Sequence, residues 1–288
     1  FLSKNFLSKM LLSSFSKTIS TFLPDDIFNN HLIGLLDDTT VHDLYGNMSS
    51  DKQNLRLYYE TISRDVFDFE EYINLPDDEK KYVKHINYFR LSPIDPGVLP
   101  DGLQHLNIVY SYNHSLKENV LPKNLYSLAF GDLFNRILDE KDHLPCKLKK
   151  LSFGWNYNQE FIVGILPPGL NELKLGWEYN KSFNKNVLPP GLEVLDCGVS
   201  YNQSIGKGVL PIRLKKLVFH KEFNQPIRKG ELPVDLQWLE FGANCEHVLN
   251  RLEGAYDQPF EKDVLPLNLK YLGLCSNYSH IIKEGVLC

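Results

Sequence analysis

Residues 210–227 read LPIRLKKLVFHKEFNQPI, and the same pattern can be laid over most of the chain around them. Leu-Pro recurs at Leu99, Leu121, Leu144, Leu166, Leu188, Leu210, Leu232 and Leu265, with steps of 22 or 23 residues and one of 33. A fixed period in this range is the signature of a solenoid, in which each short unit buries its apolar side against the next. With the Leu of Leu-Pro as position zero, position +4 is Leu in all eight copies, from Leu103 to Leu269. Position +7 is also Leu in all eight, from Leu106 to Leu272. Position +9 is apolar: Ile108, Phe130, Phe153, Leu175, Cys197, Phe219, Phe241 and Leu274. Residues two apart share one face of an extended chain, so the spacing predicts a short strand over +6 to +10 with +7 and +9 facing inward.

Two further positions fix the turns. Position +13 is Tyr or Phe throughout, for example Tyr179, Tyr201 and Phe223, and is followed by Asn180, Asn202 and Asn224. A short polar side chain at a fixed turn bonds backbone groups that lack a ladder partner, which predicts a buried polar ladder at +14. The residue two before each Leu is Gly97, Asn119, Asp142, Gly164, Asn186, Gly208, Gly230, Asp263 or Gly285. These are the residue types that tolerate positive φ, so a left-handed turn is expected in every repeat. Long helices are excluded, because Pro and Gly, Asn or Asp interrupt the chain in each period. The fold class that follows is a β-rich solenoid, a leucine-rich-repeat-like stack of about eight repeats over 99–288, with a small α-helical N-terminal domain.

The pattern LPxxLxxLxFGxxYNQxI, nearly intact at 210–227, resembles the FNIP repeat, a leucine-rich-repeat relative found in slime moulds and in giant viruses of amoebae. Departures are the stretched repeat at 232–264, with about 11 extra residues near 244–254, and His220 or Cys275 where the family favours Gly. The resemblance implies a binding function and, at the N-terminus, an F-box. Leu23-Pro24 followed by Asp25, Asp26 and Ile27 is similar to the opening of that motif. Leu32, Leu35 and Leu36 follow at spacings that suit short amphipathic helices. In that reading residues 1–20 are a tail, 21–62 an F-box-like helical segment and 63–98 a linker with a capping strand, where Val83, Ile86 and Tyr88 imitate +4, +7 and +9. Leu23, Pro24, Ile27, Leu32, Leu35 and Leu36 would then contact the Skp-type adaptor of a cullin–RING ubiquitin ligase, and the repeats would recruit its substrate. The alternative is a repeat scaffold, or a viral structural or interaction protein, without ligase coupling.

Bulk properties bound the function. Hydrophobic content of 43% and charged content of 23% are those of an ordinary globular chain, and a net charge of -5 speaks against a general nucleic-acid binder. No apolar run reaches 18 residues, so no transmembrane segment is expected. Five cysteines without a CxxC pair read as reduced thiols, which places the protein inside the cell, in the cytoplasm, or in host cytoplasm if it is viral. Five N-x-S sequons argue the other way, but most fall at one repeat position and follow from the repeat itself. There is no GxSxG, HExxH, Walker loop or GxGxxG, and no histidine at ligand spacing from another His or Cys. The expectation is a non-enzymatic protein without metal or cofactor.

Candidate binding residues lie where the repeat varies. If +7 points in, +6 and +8 point out. Among them His105, Lys150, Glu172, Lys174, Lys216, Trp238, Glu240 and Tyr271 form the candidate partner-binding face, together with Trp155 and Trp177 close by. The last repeat, 265–288, has no recognisable cap after it, and is expected to fray or to be covered by a partner.

Overall fold

The computed structural model describes residues 65–66, 68–109, 111–139, 144–242, 254–283 and 286. The chain divides into two units at Arg64, and all described residues belong to the second. The F-box-like segment 21–62, most of the insertion near 244–254, and Leu287 therefore lie outside the described residues.

Ten strands run in chain order in one parallel sheet, each hydrogen-bonded to its sequence neighbours. They are β1 (Asp65–Val66), β2 (His85–Tyr88), β3 (His105–Ile108), β4 (Ser127–Phe130), β5 (Lys150–Ser152), β6 (Glu172–Lys174), β7 (Val194–Asp196), β8 (Lys216–Phe219), β9 (Trp238–Phe241) and β10 (Tyr271–Gly273). From β3 on, each strand begins at +6 and ends at +8 or +9, slightly shorter than the expected span. The register is in step throughout: Leu106, Leu128, Leu151, Leu173, Leu195, Leu217, Leu239 and Leu272 are successive partners. A slip by one residue would turn all of these leucines outward, so burial of the +7 row itself fixes the register.

Before each strand one carbonyl joins the rungs twice. The +5 oxygen of one repeat accepts both the +5 and +6 N–H of the next, as when Glu193 O takes Lys215 N–H at 2.8 Å and Lys216 N–H at 2.9 Å. The Leu-Pro turn has its own bond: the +1 proline carbonyl accepts the +4 N–H, for example Leu214 N–H to Pro211 O at 3.1 Å. Positive φ occurs at Gly97, Asn119, Gly164, Asn186, Gly208, Gly230 and Asp263, where Gly, Asn and Asp were expected to supply it; Asp142 and Gly285 lie outside the described residues. Gly198 and Gly242, at the +10 position where the pattern carries Gly, also adopt positive φ.

Leucines at +4 and +7 in the middle repeats are completely buried, and so are the +13 rings of Tyr157, Tyr179 and Phe134. Within a repeat the +9 and +13 rings stack, with centroids 3.9 Å apart for Phe153–Tyr157 and 3.8 Å for Phe219–Phe223. Between repeats the +13 rings run parallel at 6.2 Å, as in Tyr157–Tyr179 and Tyr179–Tyr201. Each full burial of a Leu or aromatic side chain contributes roughly 1.5–3 kcal/mol, and no repeat can achieve it without its neighbours.

Among the described residues, two short helices lie between β1 and β2. Helix α1 (Phe69–Asn74) is capped by Asp68, whose carboxylate accepts the Glu70 and Glu71 N–H groups. It ends at Leu75, because Pro76 disfavours helical geometry before it, and α2 (Asp77–Lys80) follows. Phe69 and Tyr72 on α1 are buried, and Phe69 lies 4.9 Å from the Tyr88 ring. Arg90 grips Glu70 with two parallel hydrogen bonds and sits over the Phe69 ring, tying α1 to the chain after β2. The period gave no sign of this helical start, since it lies outside the repeats.

The polar ladder at +14 exists but is not buried. Asn113, Asn158 and Asn202 are half-buried and Asn180 is exposed. The amide oxygen of each accepts the backbone N–H of the equivalent residue one repeat on, for example Asn224 N–H to Asn202 Oδ1 at 3.0 Å. The correction is physical. The +13 ring fills the interior and leaves +14 at its margin, where the amide's unused atoms stay hydrated.

Candidate interaction surface

The sheet has an inner face of leucine and aromatic rows and an outer face carrying the +6 and +8 side chains. The outer face is largely paired within itself. In its middle, Glu172 receives Lys150 and Lys174 at 3.1 Å each. Burial would raise the Glu172 carboxyl, but hydrogen bonds from the two ammoniums outweigh that and hold it below the ordinary value. The same bond raises Lys150 above the usual lysine value. One strand on, Asp196 of β7 accepts a 2.6 Å hydrogen bond from His220 Nε2, and His220 is buried. His220 stands where the repeat favours Gly, and Asp196 explains how a polar ring fits there. Beside it the Cys197 thiol is pushed well up by burial, so it remains protonated and unreactive.

Rings gather at both ends of the face. His85 of β2 stacks on His105 of β3 at 4.1 Å, and His105 lies 5.7 Å from Tyr126. At the other end Trp238 of β9 stacks on Tyr271 of β10 at 3.7 Å. Lys216 stands 4.9 Å over the Trp238 ring, while Trp238 Nε1–H donates to Glu240 at 2.9 Å. Two successive polar residues at +8, Asn87 and Asn107, bond each other across β2 and β3 at 2.8 Å.

Of the candidate residues named from sequence, His105, Lys150, Glu172, Lys174, Lys216, Trp238, Glu240 and Tyr271 lie on strands of this one face. Lys150, Lys174 and Tyr271 are exposed, and the other five are half-buried by the contacts just given. Trp155 and Trp177 lie elsewhere, at +11, in the turns that follow β5 and β6. Their rings are stacked at 4.4 Å and 3° from parallel. His85 and Tyr126 were not singled out from sequence. His85 belongs to a strand that carries no Leu-Pro, and Tyr126 stands at +5, one residue before its strand begins. Leu23, Pro24, Ile27, Leu32, Leu35 and Leu36 lie outside the described residues.

Among the described residues, no group of three or more His, Cys, Asp or Glu is placed to hold a metal ion. No helix among them is long and apolar enough to cross a membrane. Cys146, Cys197 and Cys275 are free thiols.

A parallel ladder closed over leucine rows, with a face of varied polar and aromatic side chains, defines a leucine-rich-repeat-like solenoid. The chain belongs to the FNIP-repeat family: residues 91–133, 112–156, 157–198 and 201–244, more than half of the sequence, match the family described as FNIP Repeat. A crystal structure described as that of CroV588, "a novel circular LRR protein structure", is similar, with 31% identity and a TM-score of 0.55 over 71% of this chain. The present chain spans only 35% of that protein's length. No curated protein matches the chain.

Proposed function

We propose that the solenoid is a non-catalytic protein-interaction module, working inside the cell, that holds a protein target on its outer sheet face. The observation that carries this reading is the contrast between rows. The inward +4 and +7 positions are Leu in every repeat, whereas +6 runs through His105, Ser127, Lys150, Glu172, Val194, Lys216, Trp238 and Tyr271. A row that packing alone had shaped would not need this variety, and rings with neighbouring charges are what interface anchors are made of. The paired carboxylates and ammoniums keep those side chains in defined positions, which lowers the entropy lost on binding.

A photo-crosslinking amino acid placed at Lys174, on the outer face, should capture a recurrent protein in cells that express the chain. The same probe at exposed Val163, in the Leu-Pro turn, should not. Equal capture from both positions, or none from Lys174, would overturn the reading.

Coupling to a ubiquitin ligase is the more specific form of the proposal, and it rests on the sequence at 21–62 alone. The intact chain should then retain a Skp-type adaptor in a pulldown, and a Leu23→Ala, Pro24→Ala, Ile27→Ala triple variant with intact repeats should lose it. Without binding by the intact chain, the module stands as a scaffold without ligase coupling.

A further inference from the structure

We infer that the open side of the Trp155–Trp177 stack is a docking slot for an arginine side chain of the protein partner, a reading that rests on the interaction-module function above. The two indoles stand at +11 in consecutive repeats. In the following repeat the row continues with Val199, which is buried, and Trp177 is half-buried, so the more exposed side of the stack is that of Trp155. In the preceding repeat the row continues with Asp132, which is exposed. Its carboxylate accepts the Trp155 backbone N–H at 3.3 Å, which anchors it at the root of the indole.

An aspartate is too short to cover an indole. The layer beside Trp155 is therefore filled at its base and open farther out, and Trp155 keeps 43% of its surface exposed. Rungs of a parallel sheet are about 4.8 Å apart, and a flat group in contact with a ring needs about 3.5–4.0 Å. One rung thus offers the depth of one planar group beside Trp155.

Chemistry selects the group. The face of an indole attracts cations, and the carboxylate at the base of the layer adds to the same field. A guanidinium is flat, stacks on rings and bonds a carboxylate with two N–H groups at once, whereas an ammonium does neither. The protein's net charge of -5 also favours approach of a cationic segment. The chain itself places a cation on its third tryptophan, Lys216 over Trp238.

The slot is held rigidly. A Cβ on Gly176 would lie 1.6 Å from the Gly154 carbonyl oxygen, and one on Gly154 would lie 2.4 Å from the Gly131 carbonyl carbon, so these turns are in backbone contact. Asn156 N–H to Asp132 O at 2.8 Å, Glu178 N–H to Trp155 O at 2.9 Å and Ser200 N–H to Trp177 O at 2.8 Å lock the turns that carry the indoles. Preorganisation of this kind removes ordering cost from binding.

The test uses the full chain labelled with 5-fluorotryptophan and titrated with arginine amide, lysine amide and the neutral isostere citrulline amide. The Trp155 fluorine resonance should shift saturably with arginine amide, less with lysine amide and not with citrulline amide. Asp132→Asn should weaken the arginine response about threefold, as loss of one exposed charge partner does, with the circular dichroism spectrum unchanged. An unmoved Trp155 resonance, an equal response to citrulline amide, or an unaltered affinity in Asp132→Asn would overturn the inference. The resonance reads the slot and crosslinking from Lys174 reads the module, so each can fail without the other.

Discussion

At Asn202 a single amide oxygen takes two donors from the next repeat, Asn224 N–H at 3.0 Å and Gln225 Nε2 at 3.0 Å. Removing it would leave the Asn224 N–H without its acceptor at a half-buried site. Asn202→Ala should therefore cost about 1–3 kcal/mol in urea unfolding, while Asn202→Asp, which keeps an acceptor oxygen, should cost clearly less. Equal losses in the two variants would mean that the ladder is incidental to stability. The residue types at +13 and +14 were legible in the sequence because each recurs at one position. The exposure of the ladder was not, since it depends on how far the neighbouring Tyr or Phe ring fills the interior. For the same reason the Trp155–Trp177 stack could be suspected from two tryptophans 22 residues apart, but the short Asp132 beside them acquires meaning only once the turns are seen to stack.

Among the elements, β10 differs from its predecessors. In the middle repeats the +4 and +7 leucines are completely buried, whereas Leu269 and Leu272 are only half-buried and Leu267 is 79% exposed. The carbonyl of Lys270 is the next member of the series that accepts two N–H groups, and no described residue donates to it. The last rung of the +14 ladder is also distinct, with Asp257 accepting both the backbone N–H and the hydroxyl of Ser279. The Ser279 N–H first, then its hydroxyl and the nearby His280, hold the Asp257 carboxyl below the ordinary aspartate value against a small opposing effect of burial. A carboxyl lowered in the folded state stabilises the fold above its unfolded pKa, and that contribution disappears as pH falls through the folded one. In a pH titration followed by amide resonances, Ser279 should keep its bonded shift until pH drops below roughly 4. Its neighbours in 271–279 should loosen before those of β6 and β7, and Asp257→Asn should remove the acid transition. A Ser279 midpoint at or above that of free aspartate would contradict the bond.

Taken whole, the described solenoid is held by rows that run through every repeat, so a perturbation common to one row acts on all repeats together. Burial pushes the phenols of Tyr179, Tyr201 and Tyr256 well above the normal tyrosine range. A phenol raised in the folded state contributes stability that is present below the unfolded pKa of about 10 and is lost as pH rises beyond it. Alkaline unfolding should thus be cooperative, with the phenolate absorbance of these rings appearing together with the loss of strand signal in circular dichroism. Titration of all tyrosines near pH 10 with the strands intact would show that the ring row is not closed to water. Near-neighbour coupling also implies that a cavity in the middle, such as Leu195→Ala, should cost about 2–5 kcal/mol and split the stack at that repeat.

The sequence by itself determined the period, the inward leucine rows, the left-handed turn positions and the parallel solenoid, because each depends on residue type at a fixed spacing and is repeated often enough to outweigh any single exception. Only the tertiary structure decided the helical start at 69–80, the self-pairing of the outer face and the open layer beside Trp155. These depend on which side chains from different repeats come to lie on adjacent rungs, on how far each reaches, and on what its neighbour leaves uncovered.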